Sequence, residues 1–290
     1  MMKPTLATIP PLPAVLLSIV SVQCGAAIAK GLFPALGAAG TASVRIGFSA
    51  LILLAFVRPR LQELTKEQWK AVLPYGLALG AMNLLFYFAL VRIPMGLAVS
   101  LEFIGPLSLA LAGSRRLVDI LWVALAAAGI ALIAPWSGEG IDPLGLVFAL
   151  AAGACWAIYI LLSKRAGAQL PGQLAVTVGM LVAALPVLPV GIIEGSAFSM
   201  TPYMLLLGVA LAVFSSVLPF SLEMNALRTM PPRTFSILMS MEPVAAALAG
   251  WLLLNELLST QQWLAVIFIV IASSGVALTG REVHPSVGGE

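Results

Sequence analysis

Ten apolar stretches of about 17 to 25 residues follow one another along this chain, each long enough to cross ~30 Å of hydrocarbon as a helix. They fall near 12–31, 41–57, 71–91, 96–113, 119–135, 143–163, 173–193, 203–226, 234–254 and 262–280. The segments between them are short and polar or rich in Gly and Pro: FPALGAAG, RPRLQELTKEQWK, RIPMG, SRRLVD, WSGEGIDP, SKRAGAQLPG, EGSAFSMTP, RTMPPR and NELLSTQQ. No soluble domain fits in loops this small. With 61% hydrophobic and 9% charged residues, the composition agrees with an all-α integral membrane protein. The first stretch follows Lys3 and has the flavour of a signal peptide, but no small-residue cleavage site follows it, so an uncleaved first helix is expected.

Charge sets the expected orientation. Under this span count one side holds Lys3, Arg58, Arg60, Lys66, Lys70, Arg115, Arg116, Lys164, Arg165, Arg228, Arg233 and Arg281; the other holds Arg92, with Lys30 and Arg45 at membrane ends. The positive-inside rule then predicts cytoplasmic N- and C-termini. Trp69, Trp122, Trp136 and Trp263 near span ends suit interfacial belts, whereas Trp156 lies deeper. The net charge of +3 therefore reports topology, and no nucleic-acid partner is expected. Cys24 and Cys155 read as buried, inert thiols with no metal-ligand spacing, and no cofactor is implied.

The chain also repeats itself. Shifted by 137, Ala89-Leu90 fall on Ala226-Leu227, Pro94 on Pro231, Leu101 on Leu238, Pro106 on Pro243 and Ala110–Gly113 on Ala247–Gly250, nine identities in 25 positions. Apolar low-complexity sequence would give about three by chance, so a duplication is expected. The halves are 1–137 and 138–282, each of five spans, with a polar tail over 283–290. An odd number of spans per half forces the copies to cross in opposite senses, which is the inverted-repeat plan of secondary transporters. Such plans place substrate near the bilayer midplane between the halves.

Two glutamates interrupt otherwise uncharged spans: Glu102 in SLEFIGPLSLALAG and Glu242 in ILMSMEPVAAALAG. A charge at that depth costs roughly 2.5–3.5 kcal/mol or more, which makes each a candidate for function. Pro106 has no N–H for the carbonyl of Glu102, and Pro243 none for that of Met239, so both prolines are expected to break their helices. Freed carbonyls in lipid must face protein or a watery cavity. With Ser240 nearby, either site could bind an ammonium group or a proton; the alternative is a packing kink with a neutral, hydrogen-bonded glutamate. Glu223 could serve transport or pair with Arg228 or Arg233. Arg45 could snorkel outward, pair with Glu102 or hold a substrate carboxylate. Lys30 reads as an end-of-helix anchor or a vestibule residue. Asn83 with Tyr87, and Trp156 with Tyr159, share helix faces and either line a pocket or pack between helices. GLALG, from Gly76 to Gly80, has the GxxxG spacing for close helix approach. His284 lies in the tail and has no expected role.

SLEFIGPL, GACWAIYILLSKRAG and LPFSLEMNALRTMPPRTFSILMSMEPVAAALAG resemble the EamA-type group of the drug/metabolite transporter superfamily, and within it the bacterial threonine and homoserine exporters. The resemblance covers about Leu12 to Gly280. It implies a multi-pass protein of the bacterial inner membrane that exports small amino acids, driven by proton exchange. The carboxylates are not symmetric under the repeat: Glu102 falls on Met239 and Glu242 on Gly105. A zwitterion needs an anion for its ammonium and a cation or helix N-terminus for its carboxylate. Glu102 or Glu242 with Arg45 could supply both, and a carboxyl that favours its neutral form when buried could also carry the proton.

Other classes fit less well. No buried His, HExxH, GxSxG or acidic cluster suits an intramembrane enzyme, and no Walker sequence suits an ATP-driven pump. An uncoupled facilitator, an exporter of other metabolites or drug-like cations, and a receptor role stay open. Oligomeric state is open too, a homodimer included. The expected partners are the amino-acid substrate, protons and membrane lipid.

Overall fold

The structure, a computed structural model, describes residues 9–112, 117–133, 142–193, 200–227, 238–239 and 241–279. Among the described residues the regular structure is entirely helical. In lipid a backbone must bond within its own segment, and helices made of Leu, Ala, Val and Ile do so without polar side chains. The helices are α1 Pro11–Val57, α2 Lys66–Leu90, α3 Met95–Glu102, α4 Ile104–Ala112, α5 Leu117–Ile133, α6 Pro143–Gln169, α7 Gly172–Ile193, α8 Pro202–Ala212, α9 Leu218–Leu227, α10 Glu242–Leu254 and α11 Thr260–Thr279. Among the described residues five helical stretches are long and apolar enough to cross a membrane, α1, α2, α6, α7 and Pro202–Phe220, and shorter apolar helices accompany them. The outside of the bundle is apolar, with Phe56, Ile193 and Leu257 each at least 80% exposed. A lipid-facing surface has this composition and a water-facing one does not.

Helix starts follow ordinary capping chemistry. Thr65 Oγ1 accepts from the Gln68 N–H at 3.2 Å and Gln68 Oε1 accepts from the Thr65 N–H at 2.9 Å, a capping box for α2. Asp142 Oδ1 accepts from the Leu144 N–H at 2.8 Å and starts α6, with Pro143 in its first turn.

FPALGAAG does not form the expected connection. It stays helical, so the first two apolar stretches form one 47-residue helix with a kink at Gly37 (φ 66°, ψ 178°). Ala and Leu favour helix strongly enough to carry the chain through Pro34, and only Gly37 departs from helical angles. That angle pair is open to glycine and strained for other residues. Straight, 47 residues would run roughly 70 Å at about 1.5 Å per residue, well beyond a ~30 Å hydrocarbon layer. Bent at Gly37, the helix has two arms that pack on α7, α8 and α9.

The proline breaks occur where the missing N–H predicts. Helix is interrupted at Phe103, between α3 and α4, although Phe103 keeps helical angles (φ −64°, ψ −16°). What is lost is the hydrogen bond, not the direction. Pro243 lies in the first turn of α10, after Met241. Residues 113 and 231, part of the repeat alignment, lie outside the described residues, as do Ser240, Trp136, Arg228, Arg233 and His284. Cys24 and Cys155 are free and half-buried, more open than the fully buried thiols expected.

Glycines let the helices approach. Gly76 and Gly80 of GLALG lie against α7, where a Cβ on Gly80 would come within 3.0 Å of the Ala183 carbonyl oxygen. A closer approach joins α4 to α6: any Cβ on Gly105 would collide with the Gly153 carbonyl, and one on Gly153 would meet the Glu102 carbonyl. The carbonyl that Pro106 leaves without an N–H thus abuts the Cα of Gly153.

Candidate functional site

The interruptions that loosen the helices converge on one cavity of about 150 Å³. Both arms of α1 reach it, through Gln23 and Arg45; α2 contributes Asn83, α3 Glu102, α6 Trp156 and Tyr159, and α9 Glu223. Ser215, Met239 and Glu242 complete its polar and proline-broken side. Among the described residues, three carboxylates and one guanidinium therefore share a small space. Glu102 is 9% and Glu242 7% exposed. Among the described residues neither carboxylate has a hydrogen-bond or ion-pair partner. Glu223 is held differently: Ser18 Oγ donates to its Oε1.

Arg45 turns inward and does not snorkel. Its Nη2 donates to the Ser215 carbonyl at 2.9 Å, its Nε approaches Ser216 Oγ at 3.4 Å, and its guanidinium lies 5.7 Å from the centre of the Tyr87 ring. It makes no ion pair with Glu102 among the described residues, so the two charges face the same space unjoined. The Ser215 carbonyl is available for a specific reason. Residues Val213–Val217 form a π-turn between α8 and α9, closed by the Leu218 N–H on the Val213 carbonyl. Four residues after Ser215 stands Pro219, which has no N–H for that carbonyl. Polar side chains of α1 satisfy what the turn loosens: Ser21 Oγ donates to the Phe214 carbonyl at 2.6 Å, and Arg45 takes that of Ser215.

The remaining sequence candidates divide. Asn83 lines the cavity, with Nδ2 bonded back to the Leu79 carbonyl at 2.8 Å. Tyr87 is fully buried beneath Arg45 and does not line the cavity. Trp156 stands edge-on to Phe103, 5.4 Å between ring centres, at the break beside Glu102. Tyr159 stacks on Tyr75 at 5.1 Å, the two hydroxyls 3.4 Å apart. Ser240 cannot be placed, being outside the described residues. Sequence reasoning missed Gln23, Ser215 and Ser216. The proline rule applied to Pro106 and Pro243 would have found Ser215 if applied to Pro219; Gln23 is an uncharged polar residue in an apolar stretch and gave a weaker signal.

A second cluster lies away from the cavity. Lys30 Nζ pairs with Glu256 Oε1 and donates to the Ile93 carbonyl at 3.2 Å, and Glu256 Oε2 accepts from the Met95 N–H at 2.8 Å. One carboxylate thus joins α1, the start of α3 and the end of α10. Asn255 in left-handed conformation (φ 55°) ends α10 and turns the chain back, and the Glu256 N–H closes on the Gly250 carbonyl at 3.0 Å. Gly250 leaves room for it there, because a Cβ would lie 2.8 Å from Glu256 Oε2. Nearby, Arg92 pairs with Asp142 at 3.5 Å and lies 5.1 Å from the centre of the Phe148 ring.

Comparison with known proteins gives a consistent picture. Residues 143–278 match the EamA-like transporter family. The chain is 46% identical over 273 residues to the threonine/homoserine exporter RhtA of Salmonella typhimurium strain LT2, covering 93% of this chain and 92% of that protein. RhtA of Escherichia coli K12 is 45% identical over 274 residues, 94% of this chain and 92% of its own. An uncharacterized transporter, YwfM of Bacillus subtilis, is 25% identical over 84% of each chain. A solved crystal structure shares the fold, with a TM-score of 0.61 at 18% identity over 94% of this chain and 99% of that one.

Proposed function

Because the chain belongs to the EamA-like transporter family, we propose that it exports small amino acids of the threonine and homoserine kind across the bacterial inner membrane by proton antiport. The observation that carries this reading is the cavity, where Glu102, Glu223, Glu242 and Arg45 meet. A substrate ammonium answers the carboxylates and a substrate carboxylate answers Arg45. Among the described lining residues carboxylates outnumber the guanidinium, so in this reading the empty site takes up protons to reach neutrality. Protons and ammonium then compete for the same oxygens, which is the requirement for exchange. The volume of about 150 Å³ lies below the roughly 300–1,000 Å³ of pockets that take drug-sized ligands, and favours a small amino acid over a bulky cation.

In this reading α1 crosses the membrane twice, α3 with α4 once, and α8 with α9 once. Ten crossings in two inverted five-helix halves result, with both termini in the cytoplasm. The connections after α2 and α10 then share the outer side, and the Lys30–Glu256 pair becomes the outer closure of an alternating-access cycle. Its two side chains are 17% and 18% exposed, so solvent screening is limited but not absent. Lys30→Glu or Glu256→Lys alone is expected to slow transport about tenfold, and the double exchange to recover part of it. Recovery stays partial because Met95 loses its carboxylate acceptor. Additive losses in the double variant would exclude a functional pairing.

The function itself is tested by uptake of labelled threonine and homoserine into proteoliposomes, with and without a pH gradient. Accumulation against the amino-acid gradient is expected only when the pH gradient is present. Flux that merely equilibrates substrate would identify an uncoupled facilitator instead.

A further inference from the structure

Two residues of the cavity wall each carry a buried polar atom without a partner. Gln23 is 2% and Ser215 3% exposed, both line the cavity, and neither Gln23 Oε1 nor Ser215 Oγ makes a hydrogen bond. A third unbonded atom, the Tyr87 hydroxyl, belongs to a residue that does not line the cavity. A buried polar group left unpaired costs about 1–3 kcal/mol, so two on one cavity call for an explanation. Gly25, two residues along α1 from Gln23, packs directly on Ser215, and its missing Cβ is what admits the Ser215 side chain.

Their chemistry differs from that of the charged groups. The carboxylates answer a cation and Arg45 an anion. An amide oxygen offers only acceptance, and a serine hydroxyl can both donate and accept. A hydroxyl satisfies both at once, donating to one and accepting from the other. We infer that Gln23 and Ser215 form a subsite that selects amino acids carrying a side-chain hydroxyl. The substrate hydroxyl donates its proton to Gln23 Oε1 and accepts from Ser215 O–H, while the ammonium and carboxylate occupy the glutamates and Arg45. This deepens the proposed function and rests on it. It adds a basis for discrimination that the charged groups lack, because every amino acid presents the same ammonium and carboxylate. A site built to bond a hydroxyl rejects the analogue without one, since its own polar atoms then stay unpaired.

The test is competition in counterflow. Threonine and its isostere valine, and homoserine and 2-aminobutyrate, are compared as competitors of labelled threonine in proteoliposomes of the parent protein, Gln23→Leu and Ser215→Ala. The parent is expected to prefer the hydroxylated member of each pair by about 100-fold or more, two hydrogen bonds at about 1–3 kcal/mol each. Gln23→Leu is expected to reduce that preference at least tenfold, chiefly by weakening threonine and homoserine and admitting valine and 2-aminobutyrate. Ser215→Ala is expected to act in the same direction. It keeps the backbone carbonyl that holds Arg45, and it carries the test if Gln23→Leu does not fold. Preference ratios unchanged in a folded variant that still transports threonine would overturn the hydroxyl subsite and leave the proposed function standing. No counterflow of threonine or homoserine by the parent protein would overturn both.

Discussion

Glu242→Gln and Glu102→Gln are each expected to insert normally and to lose pH-gradient-driven amino-acid uptake by about two orders of magnitude. Neither carboxylate has a partner among the described residues, so the exchange for a side chain of the same shape breaks no internal bond. The loss falls on the ligand. Removing the counterion of a desolvated charge costs about 2–5 kcal/mol, roughly 30-fold to several thousand-fold. Substrate exchange without a pH gradient separates the two uses of the oxygens. A variant that still exchanges threonine but ignores the gradient has lost the proton site, whereas one that does neither has lost the ammonium site. Glu223→Gln is expected to do less, because the amide oxygen can still accept from Ser18. Uptake driven normally by the gradient in both the Glu102 and Glu242 variants would sink proton coupling through this cavity.

The second large effect concerns the fold. Alanine normally stabilises a helix relative to glycine by about 0.8–1.0 kcal/mol, so Gly→Ala changes inside helices have a default sign. Gly31 has open space around its Cβ position, and Gly31→Ala is expected to follow that default. Gly105→Ala is expected to reverse it, because the new methyl would fall on the Gly153 carbonyl. Backbone cannot rotate aside as a side chain can, and overpacking costs typically about 1–3 kcal/mol and sometimes more. The measurement is the midpoint of thermal denaturation in mild detergent, expected to rise slightly for the first variant and to fall by several degrees for the second. Equal shifts of the same sign would mean that the α4–α6 contact is not tight. Transport is expected to fall with Gly105→Ala as well, since the same contact fixes Glu102 at the cavity.

These two predictions mark what a sequence of this kind reveals. Charge placed where lipid forbids it singled out Glu102 and Glu242, and both line the cavity. Proline spacing located the helix interruptions because a missing N–H acts on one definite carbonyl, four residues back. FPALGAAG misled because Gly and Pro were read as ends, whereas the surrounding Ala and Leu carried the helix through and only Gly37 bent it. The Lys30–Glu256 pair was beyond reach, since its two residues are 226 positions apart and Glu256 lies in an ordinary polar connection. Gln23 and Ser215 were hidden for another reason. Their significance lies in having no partner, and that is a property of the packed interior which no local pattern carries.

The kink at Gly37 has a mechanical consequence. Gln23 lies on one arm of α1 and Arg45 on the other, and both face the same cavity. The distance between a neutral anchor and a charged one is thus set by the angle of a single joint. In the proposed transport cycle, a rotation of the arms that let substrate out would also pull its two holds apart, so that affinity would decline as the exit opened. Under that proposal grip and passage are linked through one backbone torsion, and any residue other than glycine at position 37 would strain the joint that connects them.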